Sequence, residues 1–448
     1  MLMFIGFLIL LACLIVGVRK GGIGLGVVSG IGLIIFIFVM GMKPGKQPVA
    51  VMLTIMAVVT CSGFLQASRG LDVMLKYAEK LLRSKPKYIT FLAPITTWFL
   101  TVLCGTGHVV YTMFPIIYDI SIKQNIRPER PMAVASIASQ MGVCASPASV
   151  AVVSAVALLT AANTPYGVVE ILAVTIPASF IGVLVAGFWS LNRGKSLESD
   201  VDFQRKIADP IQKEFVYGEV KGSNIANEKL PKSAYRAAII FLLGIGVIAF
   251  FGSFPEYLPV VANAKGVMKS LSMTPTIQLM MLAIATVIMI TSKVDPSDVA
   301  SSSVFRSGMI AIVSVYGVAW MASTYFLTYL PVMKDTVAAA FTAYPWLYAI
   351  LMVLVSKFIN SQAAAVAVII PLALSVGVDP IIIVGFMPAC YGYFILPTYP
   401  SDLACVSFDR SGTTKIGKFL INHSFIIPGF IGVGTACVAG YVISHILY

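Results

Sequence analysis

Two tripeptides, GTG at 105–107 and NSQ at 360–362, interrupt apolar sequence and decide the fold. Each tripeptide lies between two apolar segments that are shorter than the ~20 residues a helix needs to cross hydrocarbon. These segments are 89–104, 108–121, 345–359 and 363–376. Two short helices joined so tightly must fold back on each other. We therefore predict two re-entrant hairpins, over 89–121 and 345–376.

Two longer apolar segments carry internal breaks. The segment 132–161 is interrupted by CASPAS at 144–149, and the segment 379–408 is interrupted by LPTYPSD at 396–402. Proline removes a backbone donor and clashes with the preceding turn, so the helix should unwind at each break. Non-helical backbone at membrane depth is tolerated only where protein or a water-filled cavity satisfies it. We predict a broken transmembrane helix over each segment.

Hairpin and broken helix follow in the same order in both halves of the chain. When Pro115 is aligned with Pro371, the hairpin tips and the helix breaks correspond within a few residues. Repeated halves with interrupted hydrophobic segments are the sequence pattern of a secondary transporter. We predict two inverted repeats, a first membrane half over 1–191 and a second over 236–448. The polar connector between them, 192–235, is expected to be cytoplasmic because of its cationic content.

The composition indicates an all-α polytopic membrane protein. Of the 448 residues, 58% are hydrophobic and only 11% are charged, whereas soluble proteins carry roughly 25% charged residues. The net charge of +12 lies mainly between apolar runs, as the positive-inside rule requires, so no nucleic acid is expected as a partner. The first apolar run ends at Arg19 and Lys20, which favours a retained helix with a periplasmic N-terminus.

The sequence gives no indication of a metal, a cofactor or an enzymatic site. The seven cysteines lie within apolar stretches without a CxxC spacing, and the three histidines stand at unrelated spacings. No nucleophile–base constellation is found at the breaks, so catalysis is not expected.

The residues at the tips and breaks are small, hydroxylic or amide-bearing. A half-helix that begins at a break exposes unpaired N–H groups and roughly +0.5 of an elementary charge. Two opposed tips would suit a small ligand with an anionic group at each end, which means a dicarboxylate. The alternative is that the Ser and Thr side chains merely cap the half-helices. The candidate substrate-binding residues are Gly105, Thr106, Gly107, His108, Ser146, Pro147, Ser149, Asn360, Ser361, Gln362, Thr398 and Ser401.

Three polar residues in the apolar segments, His108, Lys357 and Asp402, allow more than one interpretation. His108 is either a substrate donor and pH sensor or a hydrogen-bonded helix histidine. Lys357 and Asp402 are the charges placed deepest in apolar sequence, and an intramembrane charge indicates a functional site and needs a partner. They form an ion pair that stabilises the second tip, or Lys357 faces a substrate carboxylate. Asp402 is alternatively the site of a coupled proton or cation.

A second group of charges lies nearer the predicted membrane surface. Residues 69–87 form an amphipathic helix, in which Glu79 and Arg83 are i, i+4 neighbours. Arg127 lies in the short polar link NIRPERP. These three residues either steer dianions into a vestibule or are solvated and bind membrane lipid headgroups.

Several longer motifs resemble one family of transporters. They are RKGGIGLG (19–26), GLDVMLKYAEKLLRSKPKYIT (70–90), LCGTGHVVYT (103–112), NIRPERPMA (125–133), SKFINSQAAA (356–365), CYGYFILPTYPSDLA (390–404) and FDRSGTTKIGKFLINHSFIIPG (408–429). With these motifs the chain resembles the anaerobic C4-dicarboxylate transporters, the Dcu family. The histidine in GTGHVVYT is similar to the B type of that family.

The resemblance implies a bacterial inner-membrane carrier of fumarate, succinate, malate and aspartate, chiefly a fumarate–succinate antiporter. It also implies a fold like that of the ion transporter superfamily, with a scaffold and a transport domain, and assembly as a homodimer. It carries over Glu79, Arg83 and Arg127 as transport residues. Lys357, Thr398 and Asp402 are carried over as residues that signal to a partner sensor histidine kinase.

We therefore predict an antiporter that works by alternating access. Exchange of one dianion for another is electroneutral, so no Na⁺ or H⁺ needs to be coupled. Two alternatives stay open: a cation-coupled dicarboxylate uptake carrier, and a dicarboxylate co-sensor that acts with a partner kinase.

Overall fold

The chain is helical almost throughout in the computed structural model. The structure describes residues 2–20, 23–218, 220, 225–262, 268–396, 399–417 and 422–448, without the side chains of 18, 19, 269, 330–339 and 342. The first half contains α1 (Leu2–Lys20), α2 (Gly24–Ile34, prolonged by a π-helical turn, Ile35–Val39), α3 (Val49–Ala67), α4 (Gly70–Ser84), α5 (Ile89–Cys104), α6 (Val110–Lys123), α7 (Glu129–Met141), α8 (Val150–Ala161) and α9 (Val168–Ser190).

The connector contains α10 (Val201–Ala208) and α11 (Pro210–Tyr217). The second half contains α12 (Lys232–Ser253), α13 (Met273–Ser292), α14 (Pro296–Ser301), α15 (Ser303–Ala343), α16 (Trp346–Ile359), α17 (Gln362–Ser375), α18 (Pro380–Gly385), α19 (Pro400–Phe408) and α20 (Ile426–Leu447). Two short strands, β1 (Val260–Ala262) and β2 (Met268–Ser270), pair antiparallel, with Val261 opposite Lys269.

Eight helical stretches among the described residues are long and apolar enough to cross a membrane. They are Val49–Ala67, Pro86–Cys104, Glu129–Ala161, Val168–Ser190, Lys232–Ser253, Met273–Ser292, Ser303–Tyr329 and Ile426–Leu447. Four further apolar helices are shorter, and two of them are α16 and α17. The predicted class, an all-α polytopic membrane protein, is confirmed.

Each half contains two short helices joined by a tight turn. α5 ends at Cys104, and a single 3₁₀ turn, Gly107–Val109, leads into α6. α16 ends at Ile359, and α17 begins at Gln362. We call Gly105–His108 the first tip and Asn360–Gln362 the second tip.

The two breaks differ in length. α7 gives way to a 3₁₀ turn at Gly142–Ala145, and α8 resumes at Val150. In the second half α18 ends at Gly385, well before the predicted LPTYPSD break, and α19 begins at Pro400. The predicted start of the second break, at Leu396, was therefore wrong, because the helix already ends at Gly385. The early stop is explained by MPACYGY: Pro388 cannot continue the helical hydrogen bonds, and Gly392 approaches α16 closely.

That close approach is visible at Gly392 itself. A Cβ on this residue would lie 2.1 Å from the carbonyl oxygen of Val353 in α16, so only glycine fits. Ser356 fastens the same segment, because its Oγ donates to the carbonyl oxygen of Cys390 (2.5 Å) and accepts from the N–H of Gly392 (2.9 Å). The extended backbone after α18 is thus held against α16 by packing and hydrogen bonds.

The helices form two groups that pack against each other. α1, α2, α3, α12, α13 and α15 form one bundle, in which Gly26 of α2 contacts the backbone of α15 at Val313. The helices of the tips and breaks pack around α9 and α20, which cross where Gly182 meets the carbonyl oxygen of Gly432. Small residues at both crossings allow the backbones to approach, as is usual between transmembrane helices.

The described part of the connector 192–235 includes short helices. It contains α10, α11 and a 3₁₀ turn at Ile225–Asn227. Tyr118 of α6 donates its hydroxyl to the carbonyl oxygen of Val216 (3.0 Å), and Lys206 donates to the carbonyl oxygen of Arg410 (2.8 Å). The connector therefore lies against α6 and against the segment that follows α19.

Candidate functional site

A cavity of about 470 Å³ lies where the tips and breaks face the bundle of α1, α2, α3 and α15. One wall is formed by Gly105, Thr106, Gly107, His108, Gln140, Val143, Ala148, Val150, Ala151, Ile359, Asn360, Ser361, Gln362, Ala363, Tyr393, Tyr399 and Pro400. The opposite wall includes Leu25, Val58, Val59, Ser62, Val304, Ser307, Gly308, Ile310, Ala311 and Ser314. The volume lies within the range of roughly 300–1,000 Å³ found for small-molecule sites.

The two tips have the same backbone geometry. Gly105 and Asn360 end their helices in the left-handed conformation, with φ of 74° and 54°. Each is followed by an extended hydroxyl residue, Thr106 (φ −141°) or Ser361 (φ −153°). Gly105 also packs closely on the first break, because a Cβ there would lie 2.3 Å from the carbonyl oxygen of Ala148.

Three of the candidate hydroxyls act as helix caps. Thr106 Oγ1 accepts from the N–H of His108 (3.3 Å), and Ser361 Oγ accepts from that of Ala364 (3.3 Å). At the first break Ser149 caps α8 by accepting from the N–H of Val152 (3.1 Å), whereas Ser146 accepts from the N–H of Ala148 (3.2 Å) within the turn that precedes α8. A capping hydroxyl still has its own O–H to donate, so capping and anion binding are compatible.

The structure brings only part of the predicted set into the cavity. Seven candidates line it, namely Gly105, Thr106, Gly107, His108, Asn360, Ser361 and Gln362. Ser146, Pro147, Ser149 and Ser401 do not line it, although their neighbours Ala148, Val150 and Pro400 do. Thr398 lies outside the described residues. His108 stacks on Tyr111, with ring centroids 5.7 Å apart.

Sequence reasoning missed Gln140, Tyr393 and Tyr399, which also line the cavity. Tyr393 and Tyr399 lie ring to ring, with centroids 4.3 Å apart. The sequence could have indicated Gln140 as a site residue, because it is a lone glutamine in the apolar run AVASIASQMGV just before CASPAS. Nothing in the sequence indicated the two tyrosines, because their proximity depends on the unwound segment that follows α18.

Lys357 and Asp402 direct their described contacts to different partners. Lys357 Nζ donates to Oδ1 of Asn360 (3.3 Å) and to the carbonyl oxygens of Tyr393 (3.4 Å) and Leu396 (3.2 Å). Asp402 Oδ1 accepts from Ser136 Oγ (2.8 Å). No ion pair within 4 Å is seen between these two described residues. Lys357 therefore acts on the second tip and on the unwound backbone.

Glu79 and Arg83 form an ionic cluster away from the cavity lining. Glu79 is fully buried, and its carboxylate accepts from Arg83 Nε (2.7 Å) and from the N–H of Ala226 (2.7 Å). Arg83 also pairs with Asp119 of α6 (3.1 Å), and Lys123 pairs with the other oxygen of Asp119 (2.7 Å). This cluster joins α4, α6 and the connector.

Arg127 belongs to a second buried cluster at the start of α7. It pairs with Glu129 (2.8 Å) and with Asp200, and Glu129 also pairs with Arg193 (3.0 Å). Burial raises the pKa of Asp200, but the hydrogen bonds from Arg127 and from the N–H of Phe203 outweigh it and lower the pKa overall. Like the Glu79 cluster, this one joins membrane helices to the connector rather than lining the cavity.

Two tight tips, two helix breaks and one cavity between packed helices define the architecture of a secondary transporter. Among the described residues that line the cavity, none is Lys, Arg, Asp or Glu. The described residues also contain no cluster of three or more His, Cys, Asp or Glu side chains suited to a metal ion.

Comparison with known proteins gives the family. The model of a family described as anaerobic C4-dicarboxylate membrane transporter matches residues 2–448. The anaerobic C4-dicarboxylate transporter DcuB of Escherichia coli O6:H1 is 54% identical over 445 residues, covering 99% of this chain and 98% of that protein. The C4-dicarboxylate transporter DcuA of Wolinella succinogenes is 36% identical over 444 residues, covering 98% of each.

Two solved structures share the fold. Neisseria gonorrhoeae MtrF, described as illuminating a class of antimetabolite efflux pumps, superposes with a TM-score of 0.54 at 14% identity, covering 93% of this chain and 84% of that one. The Alcanivorax borkumensis YdaH transporter gives 0.55 at 15% identity, covering 89% and 85%. At these identities the likeness concerns the fold alone.

The chain belongs to the DcuA/DcuB family of anaerobic C4-dicarboxylate membrane transporters. It is a multi-pass membrane transporter and not an enzyme, and the family predicted from the motifs is confirmed.

Proposed function

We propose that this protein exchanges C4-dicarboxylates across the bacterial inner membrane, with fumarate, malate or aspartate entering and succinate leaving. The observation that carries the proposal is the meeting of both tips in one cavity. Two capped half-helix starts, each with an adjacent hydroxyl, supply donors from two sides of the cavity. A four-carbon dianion has one carboxylate for each.

Donors of hydrogen bonds, rather than cations, would hold the substrate. The lining offers backbone N–H groups at the starts of α6 and α17, and the hydroxyls of Thr106 and Ser361. Helix starts carry positive partial charge, and hydrogen bonds to a charged group are worth about 1.5–3 kcal/mol each. Such a site binds a dianion without leaving a fixed cation exposed when it is empty.

Transport would proceed by alternating access with an elevator-like movement. The helices of the tips and breaks, packed on α9 and α20, form the transport domain of this proposal, and the bundle around α3 and α15 forms the scaffold. The scaffold wall of the cavity is largely apolar and includes Leu25, Val58 and Ile310. In an empty site the positive partial charge of the helix starts would have to pass this apolar wall without a counter-charge, whereas a bound dianion supplies one. The domain would therefore move only when loaded, and this would enforce exchange.

The same proposal covers the topology. The two halves would be inverted repeats with re-entrant hairpins, and the N-terminus would be periplasmic. The basic connector would then lie on the cytoplasmic side, as the positive-inside rule requires. Labelling of single cysteines at exposed positions, such as Ser196 and Tyr257, by an impermeant reagent tests this orientation.

Counterflow in proteoliposomes tests the exchange. Purified protein is reconstituted into vesicles loaded with succinate, and uptake of labelled fumarate is measured at low external concentration. We expect uptake to require internal dicarboxylate and to be unchanged by a Na⁺ gradient. A monocarboxylate such as butyrate is the matched control and should not support exchange.

Three results would contradict the proposal in different ways. Rapid loss of internal succinate without external dicarboxylate would overturn obligate exchange. Uptake that follows a Na⁺ gradient would favour a cation-coupled carrier instead. Binding of dicarboxylate without any flux would favour a co-sensor.

A further inference from the structure

Gln140 lies beside the first tip, although the sequence analysis assigned it no role. It is buried (2% exposed) near the end of α7, and it lines the cavity. A Cβ on Gly107 would lie 2.3 Å from its Nε2 atom. The glycine at 107 therefore makes room for this amide, which reaches the tip directly.

The direction of the neighbouring Gln362 amide is set by a backbone carbonyl. Gln362 Nε2 donates to the carbonyl oxygen of Gln140 (2.7 Å). A carbonyl oxygen only accepts, so the nitrogen of the Gln362 amide must be the atom that faces it. Cys390 agrees with this orientation, because its thiol donates to Gln362 Oε1 (3.2 Å).

The hydroxyl of Tyr393 sets the orientation of the Gln140 amide. Gln362 Nε2 also donates to the hydroxyl oxygen of Tyr393 (3.3 Å), which leaves the tyrosine proton for another acceptor. That acceptor is Gln140 Oε1, 2.7 Å away. Because Oε1 faces Tyr393, the NH₂ group of Gln140 must point the other way, towards the first tip.

The NH₂ group of Gln140 makes one long hydrogen bond within the described part of the protein. Among the described residues its one acceptor is Ser139 Oγ, at a long 3.4 Å. Two N–H bonds are available on this nitrogen, so donor capacity is left over in a buried place. The Gln362 amide, by contrast, uses its nitrogen twice and its oxygen once.

We propose that Gln140 binds the substrate by donating from Nε2 to one of its carboxylates, and that Tyr393 is the positioning residue that orients the Gln140 amide. The inference rests on the proposed function, because it takes the cavity to be the dicarboxylate site. In this proposal the two glutamines have different roles: Gln140 contacts the ligand, and Gln362 sets the direction of the hydrogen-bond chain Gln362–Tyr393–Gln140. This chain also joins the first broken helix to the second tip.

Three variants separate these tasks. Gln140→Glu keeps an oxygen for the Tyr393 proton but replaces the NH₂ donor with a second carboxylate oxygen, which repels a dianion. Gln140→Leu removes both amide groups at similar volume. Tyr393→Phe keeps the ring and removes only the proton that orients Gln140.

The expected effects follow from the strength of the lost bonds. A hydrogen bond to a charged group contributes about 1.5–3 kcal/mol, so Gln140→Leu should raise the KM for succinate counterflow about 10- to 100-fold. Gln140→Glu should raise it at least as much. Tyr393→Phe loses one neutral hydrogen bond and should raise the KM about 3- to 10-fold. In the Gln140→Leu background, Tyr393→Phe should add nothing further.

Counterflow with the full-length protein in proteoliposomes gives KM and maximal rate. The shift of the melting temperature of the purified protein by succinate gives binding without transport. Gln278→Leu is the matched control, because Gln278 donates to Thr54 (2.8 Å) between α13 and α3 and does not line the cavity. It should leave KM unchanged.

The outcomes distinguish this inference from the proposed function. If the wild-type protein shows no counterflow and no succinate-induced shift, the proposed function itself fails. If the wild type is active and the Gln140 variants keep its KM and its succinate-induced shift, the inference is overturned. Equal losses from Tyr393→Phe in the wild-type and Gln140→Leu backgrounds would overturn the positioning role. A KM rise without change in the unliganded melting temperature supports it.

Discussion

Gly105 and Asn360 end the first helix of their hairpins in the same left-handed conformation, although the two residues are chemically different. Both are followed by an extended residue whose hydroxyl caps the second helix. Left-handed backbone costs most residues about 1–2 kcal/mol, and only Gly, Asn and Asp adopt it readily. The shared conformation makes both tips tight enough to meet in one cavity.

Replacing Gly105 should therefore damage the first tip. Gly105→Ala incurs the conformational cost and places a Cβ 2.3 Å from the carbonyl oxygen of Ala148, so the tip must shift. We expect a lower melting temperature in detergent and loss of most counterflow activity. Asn360→Gly should be milder in its effect on stability, because glycine adopts this backbone conformation readily, although the Oδ1 acceptor of Lys357 is lost.

Gly30→Ala is the matched control for the glycine variants. Gly30 lies inside α2, and a Cβ there has no atom within 4 Å. Alanine is the better helix former by about 1 kcal/mol, so this variant should be as stable as the wild type or more stable. Full stability and transport in Gly105→Ala would contradict the tip geometry described above.

The buried Glu79 should matter for stability first. Glu79→Gln replaces one acceptor oxygen with an NH₂ group that faces a donor, either Arg83 Nε or the N–H of Ala226. We expect a loss of about 1–3 kcal/mol in the free energy of unfolding, seen as a lower melting temperature. Lys80→Gln on the exposed face of the same helix is the control and should have little effect.

The same pair of variants tests the transport role that the family resemblance implies for Glu79. Transport is normalised to the amount of folded protein in the vesicles. Loss of transport in Glu79→Gln at an unchanged melting temperature would contradict the structural explanation and favour a direct role in substrate movement.

Neutralising Lys357 and Asp402 together should not restore transport. Lys357→Met removes donors from the carbonyl oxygens of Tyr393 and Leu396, and Asp402→Asn alters the bond with Ser136. Since the hydrogen bonds of Lys357 and of Asp402 go to different groups, we expect the double variant to show no more counterflow than the poorer single variant. Lys87→Met, an exposed lysine outside the cavity, is the control. Near-normal transport in the double variant alone would instead indicate a structural pair.

The Arg127–Asp200 pair predicts a specific response to acid. The pKa of Asp200 is lower in the folded protein than its ordinary value of about 3.9. Its stabilising contribution is therefore complete above the ordinary value and is lost as the pH falls through the folded pKa. Asp200→Asn should lower the melting temperature at pH 7, and the difference from the wild type should shrink below about pH 4.

The control for the acid experiment is Asp202→Asn, a neighbouring exposed carboxylate in the first turn of α10. It should change the melting temperature little at either pH. A difference between Asp200→Asn and wild type that stays constant down to pH 3 would contradict a stabilisation that depends on the negative charge of Asp200.

Much of the membrane architecture can be read from local sequence. Apolar runs, their lengths and the short polar interruptions are local properties, so the helix ends at Cys104 and Ile359 follow from GTG and NSQ. The second break was harder, because its unwinding at Gly385 depends on the contact of Gly392 with α16. Pro388, which is a local feature, and the packing of Gly392 against α16 together decided that boundary.

The sequence by itself determined the membrane class, the family and the two tips, because hydropathy, glycine and capping residues act within a few positions of the chain. Only the tertiary structure decided which polar groups share the cavity. Gln140 and Tyr393 are 253 residues apart and meet only because α7 packs near the unwound segment after α18. It also paired Arg127 with Asp200 of the connector and brought the N–H of Ala226 in the connector to the buried Glu79 carboxylate, since partners for buried charges are chosen by proximity in space.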